Sequence, residues 1–254
     1  MSRPAGYPVL LHGFTGSAVG WGERLVDGLA GTGLTPVLVD LPGHGRDAGR
    51  TDPAAYTLDS VLGHVTRAGD WPTDLVGYSM GGRVALHFAA AFPGRVRRLV
   101  LESASPGLAT EEERRARRAS DEALASKLLA VGLEAFVDEW EAQPLFESRA
   151  ALEPAERERQ RALRLGNDAA SLAACLRGLG AGSVPSLWGR LPSLAVPTLL
   201  VVGSLDTKFT EIARSMASAM PDARVVEVPG AGHTVHLERP DAWLAAVTEF
   251  LRHP

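Results

Sequence analysis

The stretch Gly77-Tyr78-Ser79-Met80-Gly81 decides how this 254-residue sequence is interpreted. It has the form G-x-S-x-G, in which the flanking glycines allow a sharp turn from a strand into a helix and the serine stands at the start of that helix. The apolar residues Leu75-Val76 precede it, and an alanine-rich stretch at 82–92 follows it. Since the pattern alone also occurs in ordinary tight turns, this context is what predicts Ser79 as the reactive residue.

Short apolar segments recur on both sides of this motif, separated by longer helical patterns. They are continuously apolar, which is typical of parallel strands with both faces covered. We predict strands at 8–11, 36–39, 74–76, 98–101, 197–202 and 224–228. We predict helices at approximately 20–31, 57–68, 80–92, 208–220 and 240–252. The pattern indicates a doubly wound α/β sheet.

Residues 103–194 interrupt this alternation, because they contain no strand candidate and have the pattern of several helices. Thr110-Glu111-Glu112-Glu113 has the form of a capping box, and Gly178 and Gly180 indicate a helix end. The segment is too long for a loop. We therefore predict a helical cap at 103–194, inserted into a core formed by 1–102 and 195–254. The cap is expected to cover the carboxyl edge of the sheet, where ligands of such folds bind.

A serine hydroxyl needs a base, and the base needs an orienting acid. His233 follows the last predicted strand, and Asp206 follows the strand that ends at Gly203. The order Ser79, Asp206, His233 is the one expected for a nucleophile elbow of this kind. Asp206 also fits a helix N-cap, and both roles are compatible. Glu102, after an earlier strand, is the rival acid.

Two further histidine motifs follow strands. His12-Gly13-Phe14 follows the first strand, and the backbone N–H groups of Phe14 and Met80 are the expected oxyanion hole. The turn at 40–45 is expected to be structural, with no chemistry assigned to its His44. A lone loop histidine is most often solvated, and this is the expectation for His236.

The composition is that of an ordinary globular protein, with 45% hydrophobic and 22% charged residues. A net charge of −4 gives no indication of a nucleic-acid partner. The single cysteine, Cys175, excludes an internal disulfide and is expected to be a small buried hydrophobic residue.

No apolar run suits a signal peptide or a membrane span, so a cytoplasmic location is expected. No metal-ligand cluster or nucleotide loop is evident, and we predict no cofactor. The sequence makes no prediction of oligomeric state.

The motifs of the core resemble the α/β-hydrolase superfamily: Leu11-His12-Gly13-Phe14, Asp40-Leu41-Pro42-Gly43-His44-Gly45, Gly77 to Arg83, and Gly230-Ala231-Gly232-His233. The insertion resembles one family more particularly, the 2-succinyl-6-hydroxy-2,4-cyclohexadiene-1-carboxylate (SHCHC) synthases of menaquinone biosynthesis. The stretches that carry this resemblance are 114–121, Trp140 to Phe146, Ala162 to Asn167, Pro185 to Trp188 and Asp206 to Phe209.

The resemblance implies a lyase that eliminates pyruvate from 2-succinyl-5-enolpyruvyl-6-hydroxy-3-cyclohexene-1-carboxylate, a small anionic substrate, with the serine as base. A substrate with three carboxylates needs cations in an apolar pocket. Arg83 lies one helical turn beyond Ser79, so it can face the same site. Arg117 and Arg164 stand where the family carries carboxylate-binding arginines, although arginines of such a charged insertion are mostly solvated. Tyr78, Trp140 and Phe146 are candidate substrate contacts.

Two alternatives remain open on the same scaffold: a serine esterase or carbon–carbon bond hydrolase, and a non-catalytic binding protein that keeps the triad. The chain before the first strand, 1–7, is too short for the antiparallel strands that usually begin the superfamily's sheet. We therefore expect a sheet shortened at its N-terminal edge.

Overall fold

A six-stranded parallel sheet runs through the computed structural model, which describes residues 6–252. In space the strands follow the order β2-β1-β3-β4-β5-β6. In the chain they are β1 (Val9–Leu11), β2 (Val37–Val39), β3 (Thr73–Tyr78), β4 (Val96–Glu102), β5 (Thr198–Gly203) and β6 (Ala223–Val228). All six predicted strands are present. Every pairing between named strands in the described part is parallel, which confirms the predicted parallel sheet.

Ten α-helices occur in the described residues. They are α1 (Glu23–Ala30), α2 (Leu58–Ala68), α3 (Met80–Ala91), α4 (Glu111–Val131), α5 (Leu133–Glu141), α6 (Pro154–Leu165), α7 (Ala169–Leu179), α8 (Thr207–Ala219), α9 (Val235–Glu238) and α10 (Pro240–Arg252). Helix α1 begins later than predicted because Gly22, at φ 77°, separates it from a 3₁₀ turn at Ala18–Trp21. The four-residue α9 was not predicted.

Two helical layers cover the sheet. Helices α1 and α10 pack on one face through residues such as Leu25 and Trp243, against residues such as Val201 of β5. Trp21 of the 3₁₀ turn joins the same cluster. Helices α2, α3 and α8 pack on the other face, against residues such as Leu200. Neighbouring residues of one strand thus point into different layers, which explains why the central strands are apolar throughout. The carboxyl ends of the parallel strands meet at one edge, where the site described below lies.

The predicted helical region falls between β4 and β5. It contains α4 to α7 and two 3₁₀ segments, Pro144–Ala151 and Trp188–Ser193, and no strand. It has a hydrophobic cluster of its own, formed by Ala125, Leu128, Phe136, Leu172, Ala173 and Leu176. Helix α4 begins with the predicted capping box at Thr110, and α7 ends at Leu179 with Gly180 as its C-cap.

Within residues 6–252, no helix combines the length and the apolar character needed to cross a membrane. Cys175 is buried, as predicted, and burial raises the pKa of its thiol to about 12.

Candidate active site

Ser79 connects β3 to α3 through a strained turn. Its backbone angles, φ 52° and ψ −109°, lie in a region that non-glycine residues rarely adopt. Such strain persists where the surroundings enforce it, and it concentrates at functional sites. The surroundings that enforce the turn are seen at Gly81. A Cβ at this position would collide with the carbonyl oxygens of Leu11 and His12. The motif glycine lets α3 approach β1 closely, which leaves the Ser79 side chain at the helix N-terminus.

The three residues of the predicted triad lie within hydrogen-bonding distance of one another. Ser79 Oγ donates to His233 Nε2 over 3.0 Å, and His233 Nδ1 donates to Asp206 Oδ2 over 2.6 Å. We assign the ring proton to Nδ1 because an ionised carboxylate only accepts hydrogen bonds. Both His233 and Asp206 are buried. In this arrangement the imidazole can take the serine proton while the carboxylate stabilises the resulting cation.

The carboxylate of Asp206 has a second contact. Its Oδ1 accepts a hydrogen bond from the backbone N–H of Phe209 over 3.3 Å, which caps the N-terminus of α8. The two roles considered for this residue, helix cap and partner of His233, therefore coexist. The cap fixes the carboxylate relative to β5, so the imidazole is oriented by a rigid element.

A second carboxylate, Glu238 of α9, holds the loop that carries His233. Its Oε2 accepts from the backbone N–H of Gly232 over 2.6 Å, and its Oε1 accepts from that of Thr234 over 3.0 Å. The side chain thus clamps both neighbours of His233. Sequence reasoning missed this residue because nothing in a glutamate four positions after Thr234 indicates a backbone clamp.

Glu102 and His236 pair with each other. Glu102 Oε1 accepts from both the backbone N–H and the Nδ1 of His236, over 3.1 and 2.8 Å. The expectation that His236 is solvated is wrong: it is buried, with its ring 4.6 Å from that of Trp21 and 4.9 Å from that of Tyr78. The short helix α9, absent from the predicted elements, carries it inward.

The residues expected to form an oxyanion hole, Phe14 and Met80, line the same cavity as Ser79 and His233. Met80 opens α3, where backbone N–H groups have no partner within the helix. The Phe14 turn is fixed by His12, whose Nε2 accepts from Leu41 N and whose Nδ1 donates to Gly13 O over 2.8 Å. Burial lowers the pKa of His12, so it is neutral in this role. His44 is likewise buried, and burial lowers its pKa to about 3.

The cavity above Ser79 has a volume of about 520 Å³. Every residue predicted to contact substrate lines it: Tyr78, Arg83, Arg117, Trp140, Phe146 and Arg164. Phe146 is buried with its ring 6.0 Å from that of His233, and Trp140 stands 5.7 Å from Phe146. The aromatic side chains form an apolar wall beside the triad.

Five cationic side chains line this cavity, against one carboxylate, Asp121; they are Arg83, Arg117, Arg149, Arg164 and Lys208. Arg117 Nε donates to Asp121 Oδ1 over 2.7 Å, and Arg164 Nη1 donates to Glu141 Oε1 over 2.9 Å. Arg83 Nη2 donates to the carbonyl of Leu179.

Burial, followed by the nearby charge of Arg117, lowers the pKa of Arg83 to about 10, so it is charged at neutral pH. The cavity is therefore positively charged and suited to an anionic ligand.

Arg149 and Lys208 were not among the predicted site residues. Lys208 lies two positions after Asp206, and this spacing was the available signal. Arg149 lies in the 3₁₀ segment Pro144–Ala151, which has no periodic pattern from which its direction could be inferred. In the part of the chain that the structure describes, no group of three or more His, Cys, Asp or Glu side chains has an arrangement suited to a metal ion.

The profile of the alpha/beta hydrolase family matches residues 9–247. The chain belongs to this family.

Comparison with individual proteins narrows the assignment to one family within the α/β-hydrolases. The 2-succinyl-6-hydroxy-2,4-cyclohexadiene-1-carboxylate synthase of Klebsiella pneumoniae subsp. pneumoniae is 36% identical, over 97% of this chain and 94% of its own. A Bacillus subtilis protein, whose name gives it the same activity provisionally, is 42% identical over 96% of this chain and 89% of its own. The solved structure of MenH from S. aureus superposes with a TM-score of 0.93 at 34% identity, covering 99% of this chain and 95% of that one. Within the α/β-hydrolases, the chain belongs to the SHCHC synthase family.

Proposed function

We propose that this chain eliminates pyruvate from 2-succinyl-5-enolpyruvyl-6-hydroxy-3-cyclohexene-1-carboxylate and releases SHCHC, the reaction named for its relatives. The observation that carries the proposal is the charge of the cavity, in which five cations and one carboxylate surround Ser79 and His233. The substrate bears three carboxylates, and cations held in a partly apolar pocket are what such a ligand requires.

The proposed reaction starts at the ring carbon that carries the succinyl ketone. His233 takes the proton of Ser79, and Ser79 Oγ takes the proton from this carbon, so the C–H electrons shift into the ring. The ring double bond moves and the bond to the enolpyruvyl oxygen breaks, which gives the 2,4-diene. The departing oxygen accepts the proton held by His233, and the enol of pyruvate becomes the ketone. Serine and histidine return to their starting states without an acyl-enzyme.

Negative charge develops on the succinyl ketone oxygen as its neighbouring proton leaves. The N–H groups of Phe14 and Met80 are the proposed donors to this oxygen. Donors placed where charge appears in the transition state accelerate a reaction more than donors to the ground state. Asp206 contributes by holding His233 in the tautomer that receives the serine proton.

A coupled assay tests the proposal: pyruvate release from the enolpyruvyl substrate is followed by lactate dehydrogenase and NADH oxidation. We expect turnover by the natural chain and its loss in Ser79→Ala, with an unchanged far-UV circular dichroism spectrum. A panel of p-nitrophenyl esters runs in parallel. Ester turnover at about 1–1000 per second without pyruvate release would replace the lyase by the hydrolase alternative. Full activity of Ser79→Ala would refute both.

A further inference from the structure

We propose that Arg149, together with Arg164, binds a carboxylate of the substrate and so determines specificity for anionic ligands. The inference rests on the proposed function, and it assigns a residue that neither the sequence motifs nor the spacing of the triad indicated. Four observations carry it: the place of the side chain, the contacts that orient it, its unpaired N–H, and the charge around it.

Arg149 reaches the catalytic side of the cavity from the 3₁₀ segment Pro144–Ala151. Its Nε donates to Thr234 Oγ1 over 2.8 Å, and its Nη2 lies 3.5 Å from the hydroxyl of Tyr78. Thr234 follows His233, and Tyr78 precedes Ser79. The guanidinium also lies over the ring of Phe146, with 4.1 Å between its central carbon and the ring centroid. These contacts fix the plane of the guanidinium beside the triad.

One nitrogen of the Arg149 guanidinium remains unpaired. Arg149 Nη1 is buried without a hydrogen-bond partner, and so is the Nε of the neighbouring Arg164. A buried N–H without a partner is unfavourable, because it has lost water and gained nothing in return. A ligand carboxylate carries two acceptor oxygens, the number needed to satisfy both groups.

The charges point to the same ligand. In residues 6–252, Arg149 has no carboxylate within ion-pair distance, whereas Arg164 has Glu141. The two arginines repel each other: after burial, the charge of Arg149 is the largest influence that lowers the pKa of Arg164, to about 10. Glu141 pairs with Arg164 but not with Arg149, and it also lies 3.6 Å from Arg161, so the positive charge of this pair of arginines is not balanced. A substrate carboxylate bound to both would balance it.

The test compares Arg149→Gln with the natural chain in the pyruvate-release assay. We expect KM to rise about tenfold to a hundredfold, the effect of losing a hydrogen bond to a charged group, while kcat changes less than about threefold. Arg149→Lys keeps the charge but loses the planar, two-pronged hydrogen-bonding geometry of the guanidinium. Its KM should therefore lie between those of the natural chain and Arg149→Gln. Arg115→Gln is the matched control, because Arg115 is an exposed arginine of the same helical region that lines neither this cavity nor the adjoining one shared by Arg149 and Arg164. Its KM should equal that of the natural chain.

Calorimetric binding supplies a readout that does not need turnover. The probes are 2-succinylbenzoate, an aromatic compound with the ring and succinyl carboxylates of the product, and pyruvate, which carries the carboxylate of the leaving group. Weaker binding of either probe to Arg149→Gln supports the proposal and identifies the carboxylate concerned.

Unchanged binding of both probes together with an unchanged KM would overturn it. So would a loss confined to kcat, which would make Arg149 a positioning residue for Thr234. A natural chain that releases no pyruvate but whose probe binding depends on Arg149 would refute the proposed function and leave this inference standing.

Discussion

Glu102 and His236 form a buried pair beside the triad, with 2.8 Å between Glu102 Oε1 and His236 Nδ1. The acid at the end of β4 is therefore engaged by a histidine other than His233. Asp206, three residues beyond the end of the neighbouring strand β5, is left as the carboxylate that orients His233.

This arrangement gives opposite expectations for two carboxamide variants. Asp206→Asn should lower kcat for pyruvate release about 10³- to 10⁴-fold, because an amide favours the wrong tautomer of the imidazole. Asparagine also caps helices, so the start of α8 should survive. Glu102→Gln should stay within about tenfold of the natural kcat, since it leaves the contacts of His233 in place. Equal losses in the two variants would contradict the assignment of the acid.

Glu238→Gln tests the clamp on the histidine loop. Only one atom of the glutamine amide accepts hydrogen bonds, so one of the two backbone N–H groups beside His233 loses its partner. A small displacement of a catalytic group is costly, and we expect kcat to fall about tenfold to a hundredfold with KM nearly unchanged. The pH profile of kcat should also shift, because the environment of the imidazole changes. The exposed Glu249→Gln is the control, and a matching loss there would rule out a specific clamp.

Arg117→Ala and Arg164→Ala test the other cations of the cavity. Each should raise KM about tenfold or more, with a smaller effect on kcat, because each removes a charge that we propose contacts the substrate in the ground state and the transition state alike. Steady-state kinetics of pyruvate release measures both constants. If kcat/KM is unchanged in both variants, these arginines do not contact substrate.

His87, buried on α3, predicts a pH dependence of stability. Burial, followed by the charges of Arg83 and Arg190, lowers its pKa from 6.5 to about 4. Between these two values the unfolded chain binds a proton that the folded chain does not, so the free energy of unfolding falls as pH drops through this window. The full loss attributable to this residue is roughly 3 kcal/mol.

Urea denaturation at several pH values measures this slope. In His87→Leu the slope between pH 6.5 and 4 should be shallower by about one proton. An identical slope in the variant would show that His87 takes up its proton equally in both states.

Much of this fold could be predicted from the sequence, because the sequence patterns that determine it are local. The apolar strands, the Gly77–Gly81 turn and the order of Ser79, Asp206 and His233 are each determined within a few residues of chain. Parallel strands then bring their carboxyl ends to one edge, so residues far apart in the chain become neighbours without any further signal.

Other features depend on contacts between distant segments. The inward turn of His236 follows from α9, which is too short to show a helical period. The direction of Arg149 depends on how an irregular segment packs against Thr234 and Tyr78, and arginine in a charged region is usually solvated. Neither residue could be assigned before the contacts were known.

The pairing of β4 with β5 has a practical consequence for engineering. Thr198, where β5 begins, is the partner of Leu99, and β4 ends three residues later at Glu102, so the long helical excursion leaves and re-enters the sheet at points about 11 Å apart. A different helical insertion needs only matching ends to be grafted there, and the strands and the Ser79–Asp206–His233 triad stay unchanged. Substrate range in this scaffold is therefore open to change by exchanging one contiguous piece of gene.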